Sequence, residues 1–329
     1  MAQLSNPSRS FSTRPQHDYT EPVAVTDTST VIAKYQADAT SATGYQSESA
    51  LENALIAQLE RQAYEYADIR SASAMRENAR AQLEKLNVYQ FSDAEWETFY
   101  KTEIANPASG IVDKTRTIQT DHIKNLTRDD GTTKNIVLID KDNIHRNSLQ
   151  VINQYTTKGS DRGNKSNRYD VSILVNGLPL VHIELKRRGV AIKEAFNQID
   201  RYQRESFWAD EGLFQYVQLF IISNGTQTKY YSCTTRDLHL KETSGKATAK
   251  ESKRLTSHSF EFTSWWADAT NKPITDLISF AKTFLSKHTL LSVLTKYCVF
   301  TVDEMLLVMR PYQIAAAERI LNLSLIHIS

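Results

Sequence analysis

Two short apolar runs meeting at Asn176-Gly177 constrain the fold of this chain more than any other feature. The stretch from Arg168 to Tyr202 reads RYDVSILVNGLPLVHIELKRRGVAIKEAFNQIDRY. Runs rich in Val, Ile and Leu on either side of Asn-Gly predict a β-hairpin, because both turn residues tolerate the positive φ of a tight turn. Beyond it, Ala195, Phe196, Ile199 and Tyr202 stand at helical spacing, so a helix follows the hairpin. Side chains alternate along a strand. The odd positions Tyr169, Val171, Ile173 and Val175 form one apolar row, and Val181, Ile183 and Leu185 form another. The even positions carry Asp170, Ser172, His182, Glu184 and Lys186.

These facts conflict over register. A strict two-residue turn pairs Val175 with Leu178, odd with even, and sends the two carboxylates to different faces. A single core needs odd residues opposite odd residues. The expectation is therefore a three-residue loop, or a bulge near Gly177 to Pro179, where glycine supplies positive φ and proline has no ladder N–H to lose.

In that register Asp170, Glu184 and Lys186 share a face. Two carboxylates and an ammonium together suit metal-assisted phosphodiester hydrolysis. Asp170 and Glu184 offer the hard oxygen ligands that Mg²⁺ prefers, and one or two carboxylates suffice because the ion keeps several waters. Such an ion polarises a phosphoryl oxygen and acidifies a bound water, while Lys186 orients that water and offsets phosphate charge. The same three residues also read as the solvated face of a half-exposed hairpin with a weak surface ion pair. Acid-x-Lys triplets arise by chance at this composition, and Glu251-Ser252-Lys253, in a polar stretch, is such a decoy.

The order Asp170, then Glu184-Leu185-Lys186, then Gln198-Ile199-Asp200-Arg201-Tyr202 resembles the PD-(D/E)xK nucleases, in the RecB-like branch with a Gln-x-x-x-Tyr element on the next helix. More narrowly, the stretch resembles the nuclease domain of the restriction (R) subunit of type I restriction–modification enzymes. YQSES near residue 45, NPASGIVDKTR near 106, LFIISNGT near 219 and LLVMRPYQIAA near 306 carry the likeness in the same order. Tyr169 stands where the motif name has proline, a position that varies in the superfamily. The resemblance implies an α/β fold with a restriction-endonuclease-like core, a central mixed sheet flanked by helices. It also implies type I site-specific deoxyribonuclease activity with Mg²⁺ on double-stranded DNA, and methyltransferase (M) and specificity (S) subunits as partners. Gln198 and Tyr202 would brace the active site and the DNA backbone.

Composition sets outer limits. The 329 residues are 40% apolar and 23% charged with net charge +1, so any affinity for DNA has to be local. Lys186, Arg187, Arg188, Lys193, Arg201 and Arg204 form the densest basic stretch. Arg187, Arg188, Lys193 and Arg201 are the candidate phosphate contacts, which position DNA without reading sequence; a solvated charged face is the competing account. Cys233 and Cys298 are far apart and fit a reducing cytoplasm. No apolar run approaches a membrane span.

Along the chain, residues 1–43 are polar and aperiodic and read as a disordered arm. The nuclease domain is expected over 44–255. It opens with a helix capped by Ser47, with Leu51, Leu55, Ile56, Leu59 and Ala63 facing the core. Glu48 in its first turn is either a carboxylate at the positive helix end or, as the resemblance suggests, an extra acidic group near the metal. Residues 72–105 read as two helices anchored by Leu83, Leu86, Trp96 and Phe99. Strands are expected at Asn135 to Asp140, Leu149 to Tyr155, within Tyr216 to Ser223, and at Thr228 to Tyr231. The loop GSDRGNKS lacks the spacing of a phosphate-binding loop and precedes a strand, so that reading is discarded. Residues 241–258 read as loop or linker, and 256–309 as a helical buttress in which Trp265 and Trp266 pack.

Residues 310–329 open an amphipathic helix with Ile314, Ala317, Ile320 and Leu321. In the resembling family this begins a superfamily 2 helicase-like, ATP-driven translocase whose glutamine contacts adenine, and Gln313 holds that position. No Gly-x-x-x-x-Gly-Lys-[ST] follows. The expectation is an N-terminal fragment with a truncated motor, using ATP only in the full-length subunit. Two other readings stand beside the nuclease: a catalytically silent docking module between a DNA motor and its methyltransferase, and a stand-alone repair nuclease.

Overall fold

The computed structural model describes residues 20–26, 29–35, 46–157, 167–234 and 259–328. GSDRGNKS, Glu251 to Lys253 and residues 241–258, expected above to be loop or linker, lie outside them. Two strands, β1 (Thr20–Thr26) and β2 (Ser29–Tyr35), pair antiparallel with a bulged register. They fall inside the segment expected to be a disordered arm, and that expectation is corrected for this part. TEPVAVT and STVIAKY contain Val, Thr and Ile in a concentration that favours extended backbone. The remainder of 1–43 lies outside the described residues.

Ser47 caps α1 (Glu48–Arg61) by accepting the N–H of Ala50 at 3.1 Å. Leu51, Leu55, Ile56 and Leu59 are buried as their spacing requires. Ala63 is not: it follows the helix with φ +65° and is exposed. After the short strand β3 (Glu65–Tyr66), α2 (Ala72–Asn87) and α3 (Asp93–Phe99) bury Leu83, Leu86, Trp96 and Phe99. The helix α4 (Ile111–Gln119) comes next. β4 (Ile123–Thr127) and β5 (Thr133–Val137) pair only with each other, so the strand expected near 135 is not part of the main sheet.

The main sheet adds β6 (Leu149–Thr156), β7 (Arg168–Val175), β8 (Leu178–Leu185), β9 (Leu219–Ser223) and β10 (Thr228–Ser232). Its order is β10-β9-β8-β7-β6-β3. β8 runs parallel to β9 and β3 parallel to β6; the other neighbours are antiparallel. The crossover from β8 to β9 contains α5 (Ile192–Glu205), as a parallel connection requires. The chain is thus an α/β protein with a central mixed sheet flanked by helices.

Trp266 is buried against Tyr230 and Phe284. The helices α6 (Leu277–Thr283) and α7 (Lys287–Thr295) follow. α6 is tied to α1, through Gln62 Nε2 donating to the Ala281 carbonyl at 3.1 Å and Tyr64 Oη to that of Leu285 at 2.8 Å. One hydrophobic cluster runs from Leu51 to Ile314. A small hairpin, β11 (Cys298–Phe300) and β12 (Leu306–Val308), precedes α8 (Pro311–Ile328). In α8 Ile314 is buried, but Ile320 and Leu321 are exposed. The buried position is taken instead by Glu318, which accepts from Lys296 Nζ at 2.6 Å and from Tyr297 Oη at 2.5 Å. Cys233 and Cys298 are both buried free thiols.

Candidate active site

The register conflict is resolved by doing both things. Asn176 (φ +50°) and Gly177 (φ +84°) form the two-residue turn, and Val175 pairs with Leu178. Leu174 then pairs with Pro179, but Ile173 pairs with Val181, so Leu180 is an extra residue in β8. No three-residue loop forms; a bulge does, one residue beyond Gly177 to Pro179. From there Val171 faces Ile183 and Ser172 faces His182, odd with odd and even with even.

β7 and β8 part beyond the Val171–Ile183 pair. Asp170 reaches into the gap, and its Oδ2 accepts the backbone N–H of Leu185 at 2.9 Å. The carboxyl group takes the place of a ladder carbonyl. Tyr169, assigned above to the odd row, lies past a break in the β6–β7 ladder, where Gln154 (φ +54°) and Asp170 do not pair; beyond it Tyr169 pairs with Tyr155. The Tyr169 ring lies against His182, Tyr202 and Phe207, and its hydroxyl donates to Ser206 Oγ at 2.7 Å.

Glu184 is fully buried, and its Oε1 accepts from Lys186 Nζ at 3.0 Å. Lys186 also donates to the Leu185 carbonyl at 3.1 Å. The solvated-face reading therefore fails: every residue of β8 is buried. Polar residues on a strand suggest a wet face only while nothing covers it, and here α5 and the 207–220 segment do. Burial pushes the Asp170 carboxyl up to about 7, with the neighbouring Glu184 charge adding to it. Burial likewise pushes Glu184 up to about 7, against the pull of Lys186 and with a further push from Glu48. Asp170 and Glu184 thus share one buried environment in which Lys186 offsets only part of the cost of charging them.

α5 braces this arrangement from behind. Gln198 Nε2 donates to Tyr202 Oη, and Tyr202 Oη donates to the Arg168 carbonyl at 2.8 Å. The four-residue spacing puts both on one helix face, and the bond lands two residues before Asp170. Glu48 is exposed, yet its Oε1 accepts the N–H of Arg187 at 3.3 Å, and its charge acts on Glu184. It is both a first-turn carboxylate and a neighbour of the site.

The basic candidates are dispersed. Arg187 is exposed; Arg188 is half-buried and donates from Nη2 to Gln46 Oε1 at 3.2 Å. Lys193 is half-buried. Arg201 is exposed, 4.0 Å from Glu205, and lies over the Tyr202 ring; Arg204 pairs with Asp200 at 2.8 Å. Gln313 sits apart on α8, where its Oε1 accepts the N–H of Arg310 at 2.8 Å.

Sequence reasoning passed over His182 and Ser172. His182 is fully buried beneath Glu184, with Nδ1 3.1 Å from Ser172 Oγ and Nε2 3.5 Å from Glu184 Oε2. Burial pushes its pKa down to about 4, so the imidazole is neutral at neutral pH. The available signal was a histidine two residues before Glu184 in a strand whose other residues are apolar. Glu52, one turn after Glu48, was also missed; it is buried and accepts from the side chains of Asn153 and Gln154 in β6.

Among the described residues, no three of His, Cys, Asp and Glu gather closely enough to cage a metal. The donor set is two carboxylates. Their hard oxygens, and burial that Lys186 offsets only in part, fit a cation that keeps most of its water.

A mixed sheet that parts at its centre and gathers two acids and a lysine there, with helices on its faces, has the restriction-endonuclease-like architecture. The family model for the N terminus of the type I restriction enzyme R protein matches residues 45–239. The chain belongs to this family. It is 48% identical over 305 residues to the type I restriction enzyme EcoprrI endonuclease subunit of Escherichia coli, covering 92% of this chain and 90% of that one. It is 36% identical over 284 residues to the SauMSSORF170P endonuclease subunit of Staphylococcus aureus strain MSSA476, covering 84% of this chain and 27% of the relative. A putative MjaIXP endonuclease subunit of Methanocaldococcus jannaschii is 30% identical over 105 residues, 31% of this chain and 10% of that one. No helix among the described residues is long and apolar enough to cross a membrane.

Proposed function

We propose that this chain carries the Mg²⁺-dependent endonuclease site of a type I restriction–modification R subunit and cleaves double-stranded DNA as part of that complex. The observation that supports this most directly is the meeting of Asp170 and Glu184 in the fork between β7 and β8. Asp170, pushed up to about 7 by burial and the Glu184 charge, and Glu184, pushed up to about 7 by burial with Glu48 adding, are costly to ionise without a cation.

Asp170 and Glu184 would hold the ion, which when bound supplies Lewis-acid polarisation of the phosphoryl oxygen and a more acidic water. Lys186, tethered to Glu184 and to the Leu185 carbonyl, holds its ammonium where a phosphate oxygen would arrive and orients the attacking water. Tyr202 and Gln198 fix the start of β7 and so the position of Asp170. Glu48 adds negative charge on the open side. Arg187, Arg188, Lys193 and Arg201 lie on the loop and helix after Lys186 and would contact phosphates without reading bases.

The names of the relatives support a place in a multisubunit restriction system. Methyltransferase and specificity subunits would be the partners, with sequence recognition residing in the latter. ATP would serve the motor for which Arg310 to Gln313 form the opening segment, delivering DNA to the nuclease. The test is a Mg²⁺-dependent cleavage assay on wild type and Asp170→Ala within a reconstituted R, M and S complex. Cleavage by wild type alone is expected. Equal cleavage by both removes Asp170 from the mechanism and leaves the docking-module reading in place.

A further inference from the structure

Two buried polar atoms face each other at the base of the site. Glu184 Oε2 and His182 Nε2 are 3.5 Å apart, and neither has a hydrogen-bond partner among the described residues. Leaving either unsatisfied in a dry interior is unfavourable. A single proton between them satisfies both. The other side of the imidazole is already engaged, with Nδ1 3.1 Å from Ser172 Oγ. Its ring is held among Tyr169, Tyr202, Phe207 and Phe220, with centroids 5.5 to 6.4 Å away.

We propose that His182 is a positioning residue for Glu184. Its Nε2–H donates to Glu184 Oε2, while Oε1 stays with Lys186. The neighbours favour this tautomer: an ionised carboxylate is acceptor-only and the Ser172 hydroxyl can donate to an unprotonated Nδ1, while the Val171 carbonyl, which also draws on a ring N–H, is the one neighbour that opposes it. The reverse tautomer sets two lone pairs against each other at 3.5 Å. The terminal torsion of a glutamate is soft and two-fold. Lys186 holds one carboxylate oxygen only, so a contact on the second oxygen is needed to fix the plane of the group. Closing 3.5 Å to an ordinary charge-assisted bond of about 2.8 Å takes only a small rotation of either side chain. Ser172, His182 and Glu184 thus form a relay of position from β7 across β8 to the site, and no proton moves along it in the reaction. The inference rests on Glu184 being a metal ligand, but its first test does not.

That test is nitrogen NMR of the histidine ring in the full chain, metal-free, at alkaline pH where Glu184 is ionised. The expected spectrum has Nε2 protonated and Nδ1 bare; the opposite tautomer overturns the proposal. The second test is a calorimetric Mn²⁺ titration of the full chain with wild type, His182→Gln, His182→Phe and Asp170→Asn. Gln can place an amide donor near the Nε2 position, and Phe cannot. His182→Phe is expected to weaken Mn²⁺ binding about 10–100-fold, as lost support of a ligating carboxylate does, with His182→Gln recovering most of it. Mn²⁺ binding by His182→Phe equal to wild type overturns the positioning role, while loss in Asp170→Asn alone still upholds the metal site. Should wild type itself fail to take up Mn²⁺, the metal reading falls, and the tautomer decides the His182–Glu184 bond alone. If His182→Phe does not fold, the tautomer and the Gln variant still judge the proposal.

Discussion

The Oδ2 of Asp170 accepts the backbone N–H of Leu185 at 2.9 Å, at the point where β7 and β8 have ceased to pair. This acid is therefore a structural substitute for a strand carbonyl as well as a candidate ligand. Asp170→Asn keeps an acceptor at that place and removes the charge. Cleavage by the complex is expected to disappear, while the metal-free protein gains stability on the order of 1–2 kcal/mol at pH 8, since a partly buried charge is lost. Thermal unfolding in EDTA checks the second statement.

The pH dependence has a definite sign. Asp170 and Glu184 rise from 3.8 and 4.5 to about 7, so between about 4 and about 7 the folded chain holds more protons than the unfolded one. Stability conferred by these protonated carboxyls is complete below the lower values and is lost as pH rises through 7. Metal-free melting temperature should fall across that window from this contribution, and Asp170→Asn should flatten part of the slope. Mg²⁺ should stabilise more at pH 8 than at pH 6, because binding expels protons.

Lys186→Met leaves Glu184 buried without its cation. The expected result is destabilisation of about 3 kcal/mol at pH 8, shrinking as pH falls and Glu184 takes up a proton. Denaturant titrations at two pH values measure it. Cleavage should also be lost.

Tyr202→Phe removes the donor to the Arg168 carbonyl. A cost of about 1–2 kcal/mol in stability is expected, with cleavage reduced through misplacement of Asp170 and DNA affinity little changed. Comparing cleavage rate with an equilibrium DNA-binding isotherm separates the two effects.

Gly177 lies against α2. A Cβ there would stand 2.6 Å from the Ala79 Cα, and φ is +84°. Gly177→Ala is expected to cost about 2–4 kcal/mol and to lower the unfolding midpoint without changing the acids.

Much of this was legible in the sequence. The hairpin, the helix behind it and the nearness of Asp170, Glu184 and Lys186 follow from strand alternation and a demand for one core. Gln198 and Tyr202 follow from helical spacing. The covering of the even face was not legible, because Ser172, His182 and Glu184 look solvated until α5 and Phe207 to Phe220 are seen to lie over them. Tyr169 left its row because the β6–β7 ladder skips a step at Gln154 and Asp170, which no alternation pattern announces. The β1–β2 hairpin was hidden by polar composition around its Val, Ile and Thr residues. Ile320 and Leu321 are exposed although their spacing suits burial, since the helix turns Glu318 inward to meet Lys296 and Tyr297. Spacing identifies a stripe but not which stripe the neighbours accept.

The bulge at Leu180 has a consequence for how such a chain can vary. Side-chain direction in a strand depends on whether a count is even or odd, and Leu180 changes that count once between the two acids. Insertions or deletions along the tip of this hairpin are therefore subject to a parity rule. Gain or loss of two residues within the paired strand leaves both carboxylates in the same fork, whereas a change of one expels Glu184 to the wrong side of the sheet unless the loop or a second bulge absorbs it.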